Sequence, residues 1–257
     1  ASDWYLKKSA QTLGQIQSIL SGYNKLPVLF DKDFLSEFTV SKVKQSILDG
    51  IKHAEKESKT SLVIDLNKRL KHIEKIARFE FDINKLTYSN SHGDYYVNQI
   101  ITHNQELTVI DWTGACFLPV CFEVMMSYTY ADSSCKDGTI HIERFKTYLD
   151  EYLKYFPLSG YNLKMMPYFY YYQLCTCNFM PPYDELPNDY LQIAELCDNL
   201  MDWLYINVDK LSNELKISHE ECGRNCRYEF FNFLAEKYNA KIATAHNSDD
   251  NLETTIY

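Results

Sequence analysis

The stretch that decides the fold is Ser91-His92-Gly93-Asp94-Tyr95-Tyr96-Val97-Asn98-Gln99-Ile100-Ile101, followed by Val109-Ile110-Asp111-Trp112-Thr113-Gly114-Ala115-Cys116. Two short β-type runs lie inside it, residues 99–102 (Gln-Ile-Ile-Thr) and 107–111 (Leu-Thr-Val-Ile-Asp). They flank His103-Asn104-Gln105-Glu106, a polar connection of the kind that joins two antiparallel strands. A loop carrying Asp94 thus enters a hairpin, and Ile110-Asp111-Trp112 closes it. Because the two ends of a hairpin lie side by side, the spacing predicts that Asp94, Gln99 and Asp111 come near one another.

Outward from this ribbon the chain reads as helix in both directions. Upstream, Leu6, Ala10, Leu13, Ile16 and Leu20 fall at helical spacing, with Gly22 as a stop. Leu66, Leu70, Ile73 and Ala77 repeat the pattern, and between them Ser41 reads as the N-cap of a helix through Ile51. Downstream, helices are expected over about 119–131, 139–155, 162–178 and 188–213, the last two broken by Met180-Pro181-Pro182-Tyr183. The aromatic run 168–174 reads first as a helix packed on several sides, and second as a wall facing a ligand. After Lys216 the character changes again: an amphipathic helix over 220–238, a short apolar strand 240–245, then the polar run His246 to Asp250.

Composition narrows the chemistry. The 257 residues are 46% hydrophobic and 24% charged, with a net charge of −9. Residues 1–80 hold 14 Lys and Arg against 10 Asp and Glu, so the excess acid lies in the rest of the chain. That balance argues against a nucleic-acid partner. No apolar run approaches the ~18 residues that a membrane span needs, and no secretion signal is visible, so a cytoplasmic protein is expected. The 8 cysteines form no C-x-x-C pair, which favours buried free thiols over a zinc site. The 8 glycines matter most: the closest two, Gly14 and Gly22, are eight apart. Neither G-x-G-x-x-G, nor the Walker A pattern, nor G-x-S-x-G fits that spacing.

Phosphoryl transfer to a hydroxyl needs a carboxylate that orients the hydroxyl and accepts its proton, and oxygen ligands for a Mg²⁺ ion. Asp94, Gln99 and Asp111 are residues of those kinds, and Gly93 allows a tight entry into the loop. An isolated His-Gly-Asp is ordinarily a turn. Loop aspartate, amide, hairpin and Asp-Trp within 21 residues is a more specific pattern.

On these words residues 1–213 resemble the aminoglycoside phosphotransferase and choline kinase-like family. The resemblance implies an α+β, mostly α fold: a protein-kinase-like C-lobe with a small β-hairpin. It implies Asp94 as catalytic base, Asp111 and Gln99 as Mg²⁺ ligands, with Asn98 beside them, and a supporting role for His92 through a hydrogen bond. Gln99 stands where the family usually carries Asn, which puts the ligating carbonyl on a longer stem. ATP as donor and a small-molecule hydroxyl as acceptor are also implied, and the excess acid over residues 81–257 would suit a cationic substrate. The family's β-rich N-lobe, which bears the ATP-anchoring lysine, has no counterpart in the 91 residues ahead of His92. The expectation is therefore a chain weak or inactive alone, impaired in nucleotide binding, with a separate N-lobe chain as partner.

A second constellation occupies residues 214–257. Arg227-Tyr228-Glu229-Phe230-Phe231 and Ala243-Thr244-Ala245-His246-Asn247-Ser248-Asp249-Asp250-Asn251-Leu252-Glu253-Thr254 resemble tRNA(Ile)-lysidine synthetases in the part after their nucleotide loop. The resemblance implies a partial PP-loop ATPase-like α/β fragment with His246, Asp249, Asp250 and Glu253 near an adenylation site. The Ser-Gly-Gly-x-Asp-Ser loop of that family is absent, and 5 basic against 8 acidic side chains make a poor RNA surface. The alternatives to an incomplete kinase are thus a remnant of a tRNA-modifying ligase and a non-catalytic binding protein.

Overall fold

Two short β-ribbons sit in the middle of an otherwise helical chain. The computed structural model describes residues 2–29, 40–80, 82–176, 188–238 and 241. In chain order the elements are α1 (Asp3–Leu20), α2 (Val40–Lys56), α3 (Thr60–Ile76), β1 (Tyr88–Ser91), β2 (Ile100–His103), β3 (Glu106–Val109), β4 (Cys116–Pro119), α4 (Val120–Ala131), α5 (Ile142–Leu153), α6 (Gly160–Thr176) and α7 (Asn188–Tyr238). Four 3₁₀ turns link them, among them Val97–Gln99 and Trp112–Gly114. The fold is mostly α with a small hairpin, as the hydrophobic periodicity predicts. The chain divides into two compact units, Ala1–Lys216 and Ile217–Tyr257.

The ribbons refine the sequence reading. β2 and β3 pair antiparallel, with His103 opposite Glu106. The turn is therefore two residues, Asn104-Gln105, not four, and both have positive φ, 48° and 62°. That geometry matches the right-handed twist of the strands it joins. The second ribbon pairs β1 with β4, Tyr88 opposite Pro119 and Ser91 opposite Cys116. No alternating pattern announces it. Pro27 to Leu29 extend it, through a bridge from Val28 to Phe117 and the bond from Leu29 N to Phe117 O (3.0 Å).

Helix boundaries follow from caps and packing. Ser2 starts α1 by accepting the Tyr5 amide at 3.3 Å. Leu6, Ala10 and Leu13 of the predicted stripe are buried, and so is Gln17. Gly14 lets α1 approach α5, since a Cβ there would fall 2.8 Å from the Tyr152 carbonyl oxygen. α2 begins at Val40, so Ser41 lies inside the helix and is not its cap. The predicted helices 188–213 and 220–238 belong to one helical element, α7. The predicted strand 240–245 lies outside the described residues, Lys241 excepted, which belongs to no element.

The core gathers α1, α4, α5 and α6 around β1 and β4. α4 and α6 are apolar nearly all round. In the aromatic run, Phe169, Tyr170, Tyr171 and Tyr172 are buried, so these four are packing, while Tyr168 is only half-buried. The run's hydroxyls stay partnered: Tyr170 with Thr129 Oγ1 at 2.9 Å and Tyr171 with His72 Nδ1 at 2.7 Å. α3 is tied to α6 and α7 by polar groups. Arg69, 2% exposed, donates to the Leu174 carbonyl (2.9 Å) and faces Asp198 (3.4 Å), while Asp202 meets His72 and Lys68. Among the described residues Cys116, Cys121 and Cys135 are buried thiols, and burial pushes Cys116 and Cys121 up to about 12. No described helix is long and apolar enough to cross a membrane.

Asp132 joins three elements. It caps the turn after α4 by accepting the Ser134 amide, and takes a two-point contact from Arg144 of α5, Nε at 2.6 Å and Nη2 at 3.2 Å. Burial raises its pKa, but the Arg144 fork and the Ser134 amide outweigh that and hold it at about 2. A carboxylate held below its ordinary 3.8 contributes stability that is complete above that pH and is lost as pH falls toward 2. Thermal melts of the wild type between pH 2 and 5 should show that loss. Asp132→Asn should melt lower at pH 7, by about 1 kcal/mol since Arg144 reaches solvent, and should lack this part of the acid dependence.

Candidate functional site

The pairing of Ser91 with Cys116 sets the site. Beyond that pair the two strands diverge into separate loops, His92-Gly93-Asp94 on one side and Asp111 to Ala115 on the other. They do not splay apart. Gly93 has φ +81°, and a Cβ on it would lie 2.0 Å from the Gly114 carbonyl oxygen. A Cβ on Gly114 would stand 3.4 Å from the Cβ of Asp94. Asp94 therefore rests against the 3₁₀ turn that Asp111 begins. Gly93 makes this contact possible, by its conformation and by its lack of bulk.

His92 fastens the loops together. Its ring is buried, with Nε2 2.9 Å from the Ile110 carbonyl oxygen and Nδ1 3.3 Å from the Asp94 amide nitrogen. A neutral imidazole protonated on Nε2 satisfies both contacts, donating to Ile110 and accepting from Asp94. The ring also lies 4.8 Å from that of Trp112. Below Asp94, the fully buried Tyr95 donates its hydroxyl to the Ser9 carbonyl of α1 at 3.0 Å.

Asp111 has φ 56°, a left-handed conformation that aspartate tolerates better than most residues. Its Oδ1 accepts from the Thr113 hydroxyl (2.6 Å) and amide (3.4 Å), and those bonds hold its pKa below the ordinary value. The group is ionised at neutral pH, with Oδ2 open. Gln99 is half-buried, and its backbone carbonyl accepts the Ile110 amide at 2.9 Å, which sets it beside the residue preceding Asp111. Asn98, Asp94 and Asp111 are exposed. All five residues predicted for this site thus fall on two abutting loops and the base of the hairpin. His246, Asp249, Asp250 and Glu253 lie outside the described residues. Among the described residues no group of three or more His, Cys, Asp and Glu could hold a metal ion. What these loops offer is two carboxylates and an amide, all oxygen donors.

Sequence reasoning missed the support underneath. Glu123 of α4 is completely buried, and its Oε1 accepts the Gly93 amide at 2.7 Å. Its Oε2 accepts from the Ser91 hydroxyl and from Gln17 Nε2 at 3.1 Å. Gln17 also donates to Ser91 Oγ (2.9 Å) and accepts the Tyr152 hydroxyl. One carboxylate thus holds α1, β1 and the Asp94 loop. The available signal was a charged residue inside the apolar run Val120–Ala131 and a glutamine on the apolar face of α1.

No family model matches the chain. Fragments of it are similar to curated tRNA(Ile)-lysidine synthases. That of Clostridium tetani is 54% identical over 52 residues, 20% of this chain and 11% of that protein. The enzyme of Clostridium perfringens is 42% identical over 72 residues, 26% and 15% of the two chains. For Chlorobaculum tepidum the figures are 36% over 85 residues, 32% and 26%. The chain therefore spans about a tenth to a quarter of the length of these relatives. A structural neighbour is the amicoumacin kinase hAmiN, solved in complex with AMP-PNP, Ca²⁺ and Ami. Its TM-score is 0.45 at 10% identity, over 78% of this chain and 59% of that one.

Two substitutions probe the support. Gly93→Ala should cost about 1–3 kcal/mol from backbone strain alone, with further loss from the clash at Gly114, read as a fall in melting temperature. Glu123→Ala should cost more than about 3 kcal/mol, because it strands three buried donors. Burial raises the pKa of Glu123 despite those donors. A carboxyl so raised contributes stability that is present below its ordinary 4.5 and lost as pH rises through the elevated value. Glu123→Gln, which cannot ionise, should flatten that part of the melting profile between pH 4.5 and 8.

Proposed function

We propose that residues 1–213 are the catalytic half of a Mg²⁺-dependent phosphotransferase that acts on a small-molecule hydroxyl. The observation that carries this reading is the abutment of the Asp94 loop on the turn capped by Asp111, pinned by His92 and backed by Glu123. Asp94 is exposed at the end of a loop whose backbone is fixed from below, which suits a base that must meet an incoming hydroxyl and accept its proton. Asp111 and Gln99 supply oxygen donors from the adjoining turn and hairpin base, and Asn98 a further amide. That donor set fits a hard divalent cation, with Oδ2 of Asp111 free of the capping bonds. When bound, the ion would neutralise phosphate charge.

The nucleotide is a different case. Among the described residues ahead of His92 there are three α-helices, a 3₁₀ turn, the four-residue strand β1 and one isolated bridge, and no two glycines in the sequence stand close enough to form a phosphate loop. Such a loop is not what these residues would offer the phosphates of ATP. A β-rich lobe from outside residues 1–213 is therefore part of the proposal, as are a cytoplasmic setting and a substrate whose positive charge suits the net acid of residues 81–257. Since positioning and electrostatics supply most of this catalysis, the chain alone should turn over weakly or not at all.

A second reading rests on the fragmentary identity to tRNA(Ile)-lysidine synthases. By that resemblance His246, Asp249, Asp250 and Glu253 would serve an adenylation site. It makes residues 214–257 a remnant, and assays with tRNA, lysine and ATP should yield no lysidine.

Titration with Mn²⁺, followed by electron paramagnetic resonance, separates the readings. One site is expected, weakened on the order of 10- to 100-fold by Asp111→Asn or Asp94→Asn. No binding, or binding that neither substitution touches, would return the protein to a non-catalytic binding role. Robust phosphorylation of amino alcohols or aminoglycosides by the chain alone would refute the predicted incompleteness.

A further inference from the structure

A cavity of about 780 Å³ opens where α3, α6 and α7 meet, all within residues 1–216. None of its lining residues belongs to β1 or to the loops of His92, Asp94 and Asp111. The chain leading from this cavity into β1 is fixed to the start of α6, with the Asp82 amide donating to Tyr161 Oη and the Thr87 amide to Asn162 Oδ1, both at 2.8 Å. β1 then runs four residues, about 13 Å, before His92. The cavity is thus distinct from the Asp94 and Asp111 loops, and a ligand held there is independent of the phosphotransferase reading.

Each helix contributes residues one turn apart. Lys71, Lys75 and Arg78 follow one face of α3 into the turn beyond it, Lys164 and Tyr168 share a face of α6, and Tyr205 and Asp209 a face of α7. Some of the charge is already balanced. Glu74 pairs with Lys44 at 3.3 Å. Asp209 accepts the Tyr168 hydroxyl at 2.6 Å and lies 3.9 Å from Lys75, whose ammonium sits 5.0 Å from the Tyr205 ring centroid. That leaves Lys71, Arg78 and Lys164 against Glu80 among the lining charges. The aromatic surface is equally organised. Phe79 meets Tyr168 edge to face with centroids 4.9 Å apart, and Tyr205 is 41% exposed beside them.

We propose that this cavity binds a planar aromatic phosphate ester. The volume falls within the range for a small organic ligand. Phe79, Tyr168 and Tyr205 offer rings for a flat body to pack on, and the excess of cations answers a phosphate dianion. Arg78 can present its fork to two phosphate oxygens, while Lys71 and Lys164 act as point charges.

Flavin mononucleotide is a suitable probe, since its own fluorescence reports binding, with riboflavin and inorganic phosphate as partial ligands. Measurements in EDTA keep divalent cations out. Saturable binding is expected, about tenfold or more tighter than riboflavin and competed weakly by phosphate. Arg78→Glu and Lys164→Glu should each weaken it about tenfold or more with unchanged melting temperature, because both side chains are exposed. Asp94→Asn should bind the probe as the wild type does. The proposal is overturned if no saturable binding occurs, if riboflavin binds as tightly, or if both charge reversals leave the affinity unchanged.

Discussion

The site rests on one buried carboxylate. Glu123 is met by a backbone amide, a hydroxyl and a side-chain amide, drawn from the Asp94 loop, β1 and α1. An ion removed from water costs several kcal/mol unless its lone pairs are satisfied. Three donors on two oxygens offset much of that cost, and the raised pKa says that burial still wins. The arrangement therefore trades stability for position. An apolar side chain at 123 would avoid burying a charge in α4, yet it would leave the Gly93 amide, the Ser91 hydroxyl and the Gln17 amide without this acceptor and the loop without a fixed height.

Position is also what the histidine and the glycine pair provide. His92 spans the gap between the two loops because each of its nitrogens has a backbone group to meet, one on either side. Gly93 removes the bulk that would hold the loops apart, and Gly114 is the residue it rests on. The result is a rigid floor carrying two exposed aspartates. A surface carboxylate ordinarily samples many orientations. Here the backbone under each is held by buried bonds, so less ordering remains to be done when a ligand arrives.

The helices and the hairpin were legible because apolar spacing and turn chemistry are local signals: α1 and α5 carry an apolar stripe, and Asn104-Gln105 turns the hairpin. Asp94, Gln99 and Asp111 were legible as a motif, and the structure adds why they share a region. β1 was not legible. Tyr88-Ser89-Asn90-Ser91 is polar, yet Ser89, Asn90 and Ser91 are buried, because distant groups answer them: Asn90 meets the Leu26 amide and the Leu20 and Asn24 carbonyls. A residue whose partners lie 64 to 70 positions away leaves no mark in its own neighbourhood. Glu123 and Gln17 escaped for the same reason. Each looked like a defect in an apolar pattern, and each is a member of the same buried network.

The local identity to tRNA(Ile)-lysidine synthases makes a related point from the opposite direction. A stretch 54% identical over 52 residues preserves a pattern of side chains. Adenylation, however, depends on backbone amides converging on phosphate oxygens, and close convergence needs glycines near one another. Between Gly160 and residue 257 the sequence has one glycine, Gly223. Side-chain identity over a short stretch is thus a separate matter from the backbone convergence that such chemistry needs. The Asp94 and Asp111 loops differ in kind: both aspartates, the amide beside them and their buried support all come from within a single unit, Ala1–Lys216. That is why the phosphotransferase reading can be tested at the level of metal binding, with no nucleotide and no second chain present.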